Sequence, residues 1–369
     1  MKIVADSHIP FVKDYFSAYG ELVLQKGRQI SHEDVKEADI LLVRSITPVN
    51  QQLLENTKVR FVGSVTAGAD HLDTQWLEEV GIQWHVAAGF NAPPVADYVT
   101  GIVAALRSEN VFDLNGVRAA VIGVGNVGKL VAEKLQTLGM SVVMCDPLRA
   151  NAEHDFHSVS LDELSELDLI TLHVPLVKTG AHPTYHFIDR HFLQRQKPGC
   201  VLINASRGSV INTTDLLQYG EHLRWCFDVW AGEPNIDKAV LEKAYLATPH
   251  IAGYSVQSKI RGIDMIYRLF CENNIIMPHA IAPVTLPRQQ LFFSGMNHHW
   301  QDIVLGVFNP RIMTAMMRDI LLPSQDAGVR FDEMRNQFNY RHEFGFTDIH
   351  AQVLPDDRQL LQKLGLTIL

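Results

Sequence analysis

A short apolar run that leads into closely spaced glycines constrains the fold of this chain more than any other feature. Residues 117–122 have the composition of a buried strand, and Gly123, Gly125 and Gly128 follow with the spacing G-x-G-x-x-G. In such a turn the first glycine permits the bend, the second lets the backbone approach a pyrophosphate, and the third lets a helix pack against the strand. The spacing therefore predicts a Rossmann-type α/β unit that binds a dinucleotide.

The residues after the glycines support this interpretation. A helix is predicted over residues 127–138 because Gly139 follows as a helix C-cap. An apolar strand over residues 141–145 then ends at Asp146, about twenty residues after the turn, where an acidic side chain holds the ribose hydroxyls of NAD. An acid there repels the additional phosphate of NADP, so NAD is the predicted cofactor. In the alternative interpretation, Asp146 only caps the turn that begins at Pro147.

The charge and the cysteines limit the classes of partner and compartment. The formal net charge is −9, with 32 Lys and Arg against 41 Asp and Glu and no basic run, so neither nucleic acid nor an anionic membrane is a predicted partner. No apolar run approaches the length of a transmembrane helix. The N-terminus is predicted to be a strand rather than a signal peptide. The cysteines are scattered and predict free thiols of a reducing compartment, so the protein is predicted to be cytoplasmic.

Strand and helix patterns alternate along most of the chain, which predicts parallel sheets with helices on both faces. Before the glycine turn, strands are predicted over residues 3–5, 40–43, 61–65 and 82–86. After it, further strands are predicted over residues 169–173, 200–204, 225–228 and 245–248. Long helices are predicted over residues 95–108 and 256–273, and the second is long enough to return to the first segment.

Three chemically distinct side chains, Arg207, Glu233 and His250, follow the last three predicted strands. If these strands are adjacent, their carboxyl ends meet at one edge of the sheet. A guanidinium can hold a carboxylate and polarise the neighbouring C2 oxygen. A histidine can accept the hydroxyl proton while a hydride leaves C2, and a carboxylate beside it fixes its tautomer. Each residue alone also has an ordinary interpretation as a cap or turn residue, but together they predict oxidation of a 2-hydroxy acid.

The motifs G-V-G-N-V-G, N-A-S-R-G, D-V-W-A-G-E-P and T-P-H-I-A-G resemble those of the D-isomer-specific 2-hydroxyacid dehydrogenase family, over roughly residues 1–285. The resemblance implies two Rossmann-like, doubly wound parallel-sheet lobes with a cleft between them. It implies that His250 accepts or donates the proton, with Arg207 and Glu233 as the other catalytic residues. The residues it implies as NAD contacts are Gly123, Gly125, Asn126, Val127, Gly128, Asp146, Val174, Ala205, Ser206, Asp228 and Gly253.

Two of these positions depart from the family pattern. Val174 stands where relatives commonly have threonine, so the resemblance implies a backbone contact rather than a hydroxyl contact there. Ser206 replaces a cysteine of relatives, which should matter little. No metal is predicted, because the spacing of metal ligands is absent from the histidine cluster His182, His186 and His191.

A narrower resemblance links the chain to a branch of that family with an additional C-terminal dimerisation domain. The segments that carry it are residues 43–47, 66–71, 250–254, 331–335 and 340–341. It implies a homodimer, and it implies substrate contacts from Ser45, Thr66 and Tyr254. The residues themselves indicate that Arg44 and Ser45, a charge beside a hydroxyl, could bind a phosphate. In the alternative interpretation, Ser45 only caps the turn from strand to helix.

The resemblance implies an organisation in three parts. Residues 1–95 and 256–285 form a substrate-binding lobe, residues 96–255 an NAD-binding Rossmann domain, and residues 286–369 an α+β dimerisation domain. The residues predict NAD-dependent oxidation of the CH–OH group of a 2-hydroxy acid, and the narrower resemblance implies that this acid is small, phosphorylated and has four carbons. One alternative is another D-2-hydroxyacid dehydrogenase, such as one for 3-phosphoglycerate, with the same catalytic residues. The other is a non-enzymatic NAD-sensing binding protein, which would not need the three catalytic residues together.

Overall fold

The computed structural model describes residues 1–111, 113–281 and 285–369. In those residues the strands, in chain order, are β1 (Lys2–Asp6), β2 (Glu21–Gln25), β3 (Ile40–Val43), β4 (Phe61–Ser64), β5 (Gln83–Val86), β6 (Arg118–Ile122), β7 (Ser141–Cys145), β8 (Leu169–Leu172), β9 (Val201–Asn204), β10 (Arg224–Phe227), β11 (Leu246–Ala247), β12 (Gln289–Phe292), β13 (Thr347–His350) and β14 (Thr367–Ile368). The α-helices described there are α1 (Val12–Phe16), α2 (His32–Val35), α3 (Gln51–Leu54), α4 (Thr74–Glu79), α5 (Ala92–Ser108), α6 (Asn126–Thr137), α7 (Pro147–Ala152), α8 (Arg190–Gln194), α9 (Thr213–Tyr219), α10 (Lys238–Lys243), α11 (Val256–Glu272), α12 (Trp300–Val307), α13 (Pro310–Leu321), α14 (Ala327–Gln337) and α15 (Pro355–Lys363).

One compact unit combines Met1–Asn91 with Val256–Pro287. Its sheet has the strand order β2-β1-β3-β4-β5, and every neighbouring pair is parallel. Strand β3 is buried along its whole length, as expected for an inner strand of a parallel sheet. Helix α11 packs closely on this sheet, because a Cβ on Gly63 would lie 2.8 Å from Ile266 and 2.9 Å from Phe270. Glycine in β4 therefore lets the helix approach the strand.

The other compact unit combines Ala92–Ser255 with Arg288–Leu369. Its larger sheet has the strand order β11-β10-β9-β8-β6-β7 and is also parallel throughout. Strands β8 and β9 are completely buried, and α5 is buried along nearly all of its length. The strand order places the carboxyl ends of β9, β10 and β11 side by side, which positions the turns that follow them at one edge.

The C-terminal residues of the second unit form a small parallel sheet, β12-β13-β14. These residues belong to the same compact unit as the sheet that bears the glycine loop. The boundaries between the two units fall after residues 91, 255 and 287. The structure does not set residues 286–369 apart as a third unit, so a separate dimerisation domain stays a prediction. Residues 282–284, at the end of the predicted first lobe, lie outside the described residues.

The predicted parallel α/β architecture is confirmed. The sequence analysis assigns no strand to β2, β12 or β13. Strand β2 lies at the edge of its sheet and is largely half-exposed, and its apolar run covers only residues 22–24, whereas β3 is apolar along its whole length. The Leu-rich tail forms α15 followed by β14. In the part of the chain that the structure describes, no helix is both long enough and apolar enough to cross a membrane.

Candidate active site

The three glycines after β6 have three different structural roles. Gly123 has a φ of +84°, and a Cβ on it would lie 2.6 Å from the carbonyl oxygen of His173. A Cβ on Gly128 would overlap the carbonyl oxygen of Gly123, so α6 can pack this closely only with glycine there. A Cβ on Gly125, the N-cap residue of α6, would meet nothing within 4 Å. The loop thus leaves open space at the positive end of a helix, which suits a phosphate group.

Asp146 follows β7, and its carboxylate supports the glycine loop. Its Oδ2 atom accepts a hydrogen bond from the N–H of Val124 at 2.8 Å. Its Oδ1 atom accepts one from the N–H of Arg149 at 3.0 Å and so caps α7, which begins at Pro147. Asp146 is therefore a capping residue in this structure. Each carboxylate oxygen has a second lone pair, so the cap leaves acceptor capacity for a ribose hydroxyl.

Three of the predicted cofactor residues border this loop. Asn126 and Val127 form the start of α6, and Asn126 is exposed. Val174 follows β8, the sheet neighbour of β6, and its Cγ1 atom would lie 2.8 Å from a Cβ on Gly123. Because valine has no hydroxyl, its polar atoms at this position are those of the backbone.

Arg207 lies in the turn after β9, and Asn204 organises that turn. The Oδ1 atom of Asn204 accepts hydrogen bonds from the N–H of Ser206 at 3.1 Å and from its Oγ at 2.9 Å. The side-chain amide of Asn204 donates to the carbonyl of Arg207 at 3.0 Å. The Arg207 guanidinium donates to the carbonyl of Ser206 at 2.8 Å. Ala205 and Ser206, both predicted cofactor residues, are thereby held in the same turn as Arg207.

Glu233 and His250 come together in the turns after β10 and β11. The Nδ1 atom of His250 and the Oε2 atom of Glu233 are 2.7 Å apart, and Oε1 of Glu233 accepts a hydrogen bond from the N–H of Trp230 at 2.8 Å. A Cβ on Gly208 would overlap the backbone of Trp230, so the turn that contains Arg207 lies directly against this one. The structure thus brings the turns of the three predicted catalytic residues to one edge of the sheet.

The environment of this pair favours an ionised carboxylate beside an accessible imidazole. The side chain of His250 is 34% exposed and that of Glu233 is 19% exposed. Burial raises the pKa of Glu233, but the His250 imidazole, the Trp230 N–H and the Arg335 guanidinium together outweigh it, so the pKa lies below its ordinary value. His250 has a φ of +56°, in the left-handed region that favours glycine, and its N–H donates to the carbonyl of Asp228 at 2.7 Å. The turn thus holds the histidine in a conformation it would rarely adopt alone.

Asp228 holds the loop that carries the histidine. Its carboxylate is 1% exposed and accepts hydrogen bonds from the N–H groups of Ile251 at 2.8 Å and Ala252 at 2.9 Å. The hydroxyl of Thr248 also donates to it, at 2.6 Å. Burial raises the pKa of Asp228, although these hydrogen bonds oppose the shift. In this structure the side chain of this predicted cofactor residue organises the loop that continues to Gly253.

Arg335 of α14 contacts the site and was not predicted from the sequence. Its Nη2 atom donates a hydrogen bond to the hydroxyl of Tyr254 at 3.2 Å, and its guanidinium helps to lower the pKa of Glu233. The ring of Tyr254, a predicted substrate contact, stacks on that of Tyr340 with centroids 5.5 Å apart. Arg335 and Tyr254 are 81 residues apart, so no local spacing indicates their contact.

Arg341 is a second residue that the sequence analysis missed. It is 6% exposed, and its guanidinium donates to the carbonyls of Pro94 at 2.5 Å and Ala252 at 2.8 Å. Nearby, the hydroxyl of Ser255 donates to Glu343 at 2.7 Å. The C-terminal part of the chain therefore supports the loop that carries His250 through buried polar contacts.

The remaining predicted substrate residues belong to the first unit. Arg44 and Ser45 follow β3, and Thr66 follows β4. The Nε atom of Arg44 donates to Oδ2 of Asp6 at 2.7 Å, whereas Ser45 is exposed. The next helix, α3, is capped by the side chain of Asn50. The alternative interpretation of Ser45 as the cap of that helix is therefore wrong.

The described residues contain no group of three or more His, Cys, Asp or Glu side chains placed to hold a metal ion. Of the three histidines in the cluster 182–191, His186 stacks on Tyr185 with ring centroids 3.8 Å apart. The side chain of His191 lies 3.2 Å from Nε of Arg190.

The chain matches a known protein family and is similar to named relatives over nearly its whole length. A family model described as the NAD binding domain of D-isomer specific 2-hydroxyacid dehydrogenases matches residues 99–252. A protein of Coxiella burnetii named erythronate-4-phosphate dehydrogenase is 42% identical over 365 residues, which cover 98% of this chain and 98% of the relative. A protein of the same name from Pseudomonas fluorescens is 39% identical over 377 residues and covers 99% of each chain.

Solved structures resemble the chain in fold. A D-lactate dehydrogenase from Aquifex aeolicus, solved with NAD and lactic acid, has a TM-score of 0.64 at 21% identity and covers 74% of this chain and 96% of its own. A 3-phosphoglycerate dehydrogenase from Entamoeba histolytica, solved with NAD⁺, has a TM-score of 0.62 at 22% identity and covers 77% of this chain and 99% of its own. Both agree with the parallel α/β architecture described above.

Proposed function

We propose, on the premise that this chain belongs to the D-isomer specific 2-hydroxyacid dehydrogenases and among them to the erythronate-4-phosphate dehydrogenases, that it oxidises 4-phospho-D-erythronate with NAD. The product is (R)-3-hydroxy-2-oxo-4-phosphooxybutanoate, and the reaction serves pyridoxal 5′-phosphate biosynthesis. The observation that carries the proposal is the 2.7 Å hydrogen bond between Glu233 and His250 on the sheet that also bears the glycine loop.

In this proposal His250 is the residue that accepts the proton. The Nδ1 atom of the imidazole faces Glu233 at 2.7 Å, so Nε2 is the nitrogen left to accept the proton of the C2 hydroxyl. The ionised Glu233 then stabilises the imidazolium that forms. The guanidinium of Arg207 holds the substrate carboxylate and polarises the C2 oxygen. In the oxidation, the C–H bond at C2 breaks and the hydrogen leaves with both electrons as a hydride. The O–H proton moves to His250, so that C2 becomes a carbonyl carbon.

A bound NAD would supply the acceptor for that hydride. The described residues fit such a cofactor. Gly125 leaves the space that a pyrophosphate needs, the first turn of α6 offers its backbone N–H groups, and Asp146 retains acceptor capacity for ribose. Asn126, Val127 and Gly128 complete the loop, with the remaining proposed contacts at Val174, Ala205, Ser206, Asp228 and Gly253.

The other end of the substrate carries a phosphate, and a charge beside a hydroxyl suits that group. We assign substrate contacts to Arg44 and Ser45 after β3, to Thr66 after β4, and to Tyr254 after His250. Arg335 is placed to orient Tyr254, since its guanidinium donates to the tyrosine hydroxyl.

A homodimer formed through residues 286–369 is part of the proposal. It is supported by several large apolar side chains of this segment that are strongly exposed, since monomers rarely leave extended apolar surface uncovered. They include Phe292 at 75%, Met296 at 72%, and Ile312 and Val329 at 60% exposure. We also propose a cytoplasmic location, which the free cysteines support, because thiols persist in reducing compartments.

The test is a direct assay with two matched substrates. Purified protein is mixed with NAD and either 4-phospho-D-erythronate or 3-phospho-D-glycerate, and the formation of NADH is followed by absorbance. We expect a clear preference for the four-carbon acid, and we expect the reverse reaction from the 2-oxo acid and NADH.

Each other outcome points to a different conclusion. A preference for phosphoglycerate would keep the cofactor and the catalytic residues but replace the substrate. No signal with either acid in either direction would overturn the proposal. Calorimetry would then show whether NAD binds at all, and assays with other 2-hydroxy acids would separate an NAD-sensing protein from a dehydrogenase with another substrate.

A further inference from the structure

Helix α11 runs along β4 in a register that can be read from two close contacts. A Cβ on Gly63 would lie 2.8 Å from Ile266, and a Cβ on Gly262 would lie 2.7 Å from Val65. Four helical residues and two strand residues each span about 6 Å, so the helix is antiparallel to the strand. The N-terminal end of α11 therefore lies near the carboxyl end of β4 and the turn that follows it.

Lys259 lies one step further along the same face of the helix. Residues 259, 262 and 266 are separated by three and four positions, which places them on one side of a helix. Lys259 is one turn closer to the N-terminus than Gly262, whose neighbour is Val65. The register therefore puts Lys259 beside the turn that contains Thr66.

Arg44 is a neighbour of Lys259 at this edge, since the two side chains repel each other electrostatically. Strand β3, which ends just before Arg44, pairs with β4, which ends just before Thr66. Burial and the Arg44 charge together lower the pKa of Lys259 to about 8. Two cations held side by side at the end of a parallel sheet are more stable with an anion between them.

Several other polar groups of this edge are paired with one another. The Asp6 carboxylate accepts from Arg44 at 2.7 Å. The hydroxyl of Ser64 lies 2.8 Å from both the Thr66 hydroxyl and Nε2 of His71. The charged or titratable residues at the ends of β1, β3 and β4 and in the turns that follow include Asp6, Arg44, Asp70 and His71. Of these, Asp6 is engaged by Arg44 through the 2.7 Å contact.

We propose that Lys259 is a substrate-binding residue that holds the substrate phosphate together with Arg44 at the carboxyl edge of the five-stranded sheet. The inference rests on the proposed function and deepens it. A phosphate ester carries about −1.5 to −2 charges at neutral pH, which two cations complement. The N-terminal end of the 17-residue α11 adds a partial positive charge at the same edge. Lys259 thereby selects phosphorylated hydroxy acids over unphosphorylated ones of the same length.

The decisive experiment compares three variants of the full chain. In Lys259→Met we expect the KM for 4-phospho-D-erythronate to rise about 30-fold, the loss of one charge-assisted contact, with a smaller fall in kcat. The effect on D-erythronate, which lacks the phosphate, should be under threefold. Lys259→Arg should restore most of the affinity. Lys13→Met removes an exposed lysine of the same unit and should behave like the wild type.

The pH dependence supplies a readout that a purely structural lysine would not give. Lys259 loses its charge as the pH rises through about 8, whereas the substrate phosphate is already doubly charged there. The KM of the wild type should therefore rise above that pH. In Lys259→Arg the rise should be absent, because arginine keeps its charge throughout.

Two results would overturn the proposal. One is a Lys259→Met enzyme with an unchanged KM, and the other is an equal KM rise for D-erythronate. If the wild type does not oxidise the phosphorylated acid at all, the binding of inorganic phosphate, measured by calorimetry, still decides the question. Weaker phosphate binding in Lys259→Met than in Lys13→Met would then support the anion site while the proposed function fails. Equal binding would overturn the site as well.

Discussion

The two larger sheets of this chain follow the same parallel plan but end in different chemistry. The carboxyl edge of the five-stranded sheet carries Arg44, Ser45 and Thr66, which can hold an anion but have no general base among them. The edge of the six-stranded sheet carries the glycine loop and the Glu233–His250 pair. Parallel topology thus determines at which edge of a sheet ligands bind, whereas the side chains after each strand determine the chemistry at that edge.

The two edges also differ in how firmly their residues are held. On the six-stranded sheet, Asp228 is 1% exposed and fixes the loop of His250 through several hydrogen bonds. On the five-stranded sheet, Ser45 is exposed and Arg44 is partly exposed. An edge that transfers protons needs a preorganised geometry, whereas an edge that holds a charged group can rely on longer side chains.

The largest effect is expected when the proton acceptor is removed. Asparagine tolerates the left-handed backbone of residue 250, so His250→Asn should keep the turn intact. We expect kcat to fall about 10³-fold, because the asparagine amide cannot accept the hydroxyl proton. Steady-state kinetics with 4-phospho-D-erythronate and NAD measures the loss.

This variant also tests whether the two edges are separable. NAD affinity and inorganic phosphate binding should stay within about threefold of the wild type in His250→Asn, because neither depends on proton transfer. The fall in kcat should also be much larger than the rise in KM. A variant that retains more than a tenth of the wild-type kcat would contradict His250 as the base.

A smaller loss is expected from Glu233→Gln, which keeps the acceptor for the Trp230 N–H and removes only the charge. We expect kcat to fall about 100-fold, since the imidazolium loses its partner. The folded-state pKa of Glu233 is depressed, so its ionised form stabilises the fold above the ordinary carboxyl pKa of about 4.3. That contribution disappears as the pH falls through the lower, folded-state pKa.

Chemical unfolding at several pH values checks the second part of this prediction. The wild type should exceed Glu233→Gln in unfolding free energy at neutral pH, and the difference should shrink below about pH 4. Equal stability at every pH, together with unchanged kcat, would show that the carboxylate is only a turn residue.

The features of this molecule that depend on local spacing could be predicted from the sequence. The apolar strands, the glycine turn and the residues after each strand follow from patterns of a few residues. The strand order then explains why Glu233 lies 2.7 Å from His250, although 17 residues separate them. The edge strand β2 was not predicted, because its apolar run covers only residues 22–24 and has polar residues on both sides.

Contacts between residues that are far apart in the sequence could not be predicted in this way. Arg335 and Arg341 lie more than eighty residues from Tyr254 and Ala252, whose groups they bind. The position of Lys259 beside the turn of Thr66 depends on how α11 packs on β4. Gly63 and Gly262 allow that close packing because neither has a Cβ atom. No pattern within one element encodes these relations, because each depends on the surface of another element.

The smallest predicted effect addresses Asp146, where the sequence left two interpretations open and the structure shows a helix cap. Serine caps helices nearly as well as aspartate, so Asp146→Ser should preserve α7 while removing the carboxylate. If the acid also holds the ribose, the KM for NAD should rise about 10-fold, the loss of one charge-assisted hydrogen bond. Discrimination against NADP should weaken too, because the repulsion of its phosphate is gone. Unchanged kinetics with both cofactors would mean that Asp146 serves the glycine loop alone, and that this edge recognises NAD through its backbone.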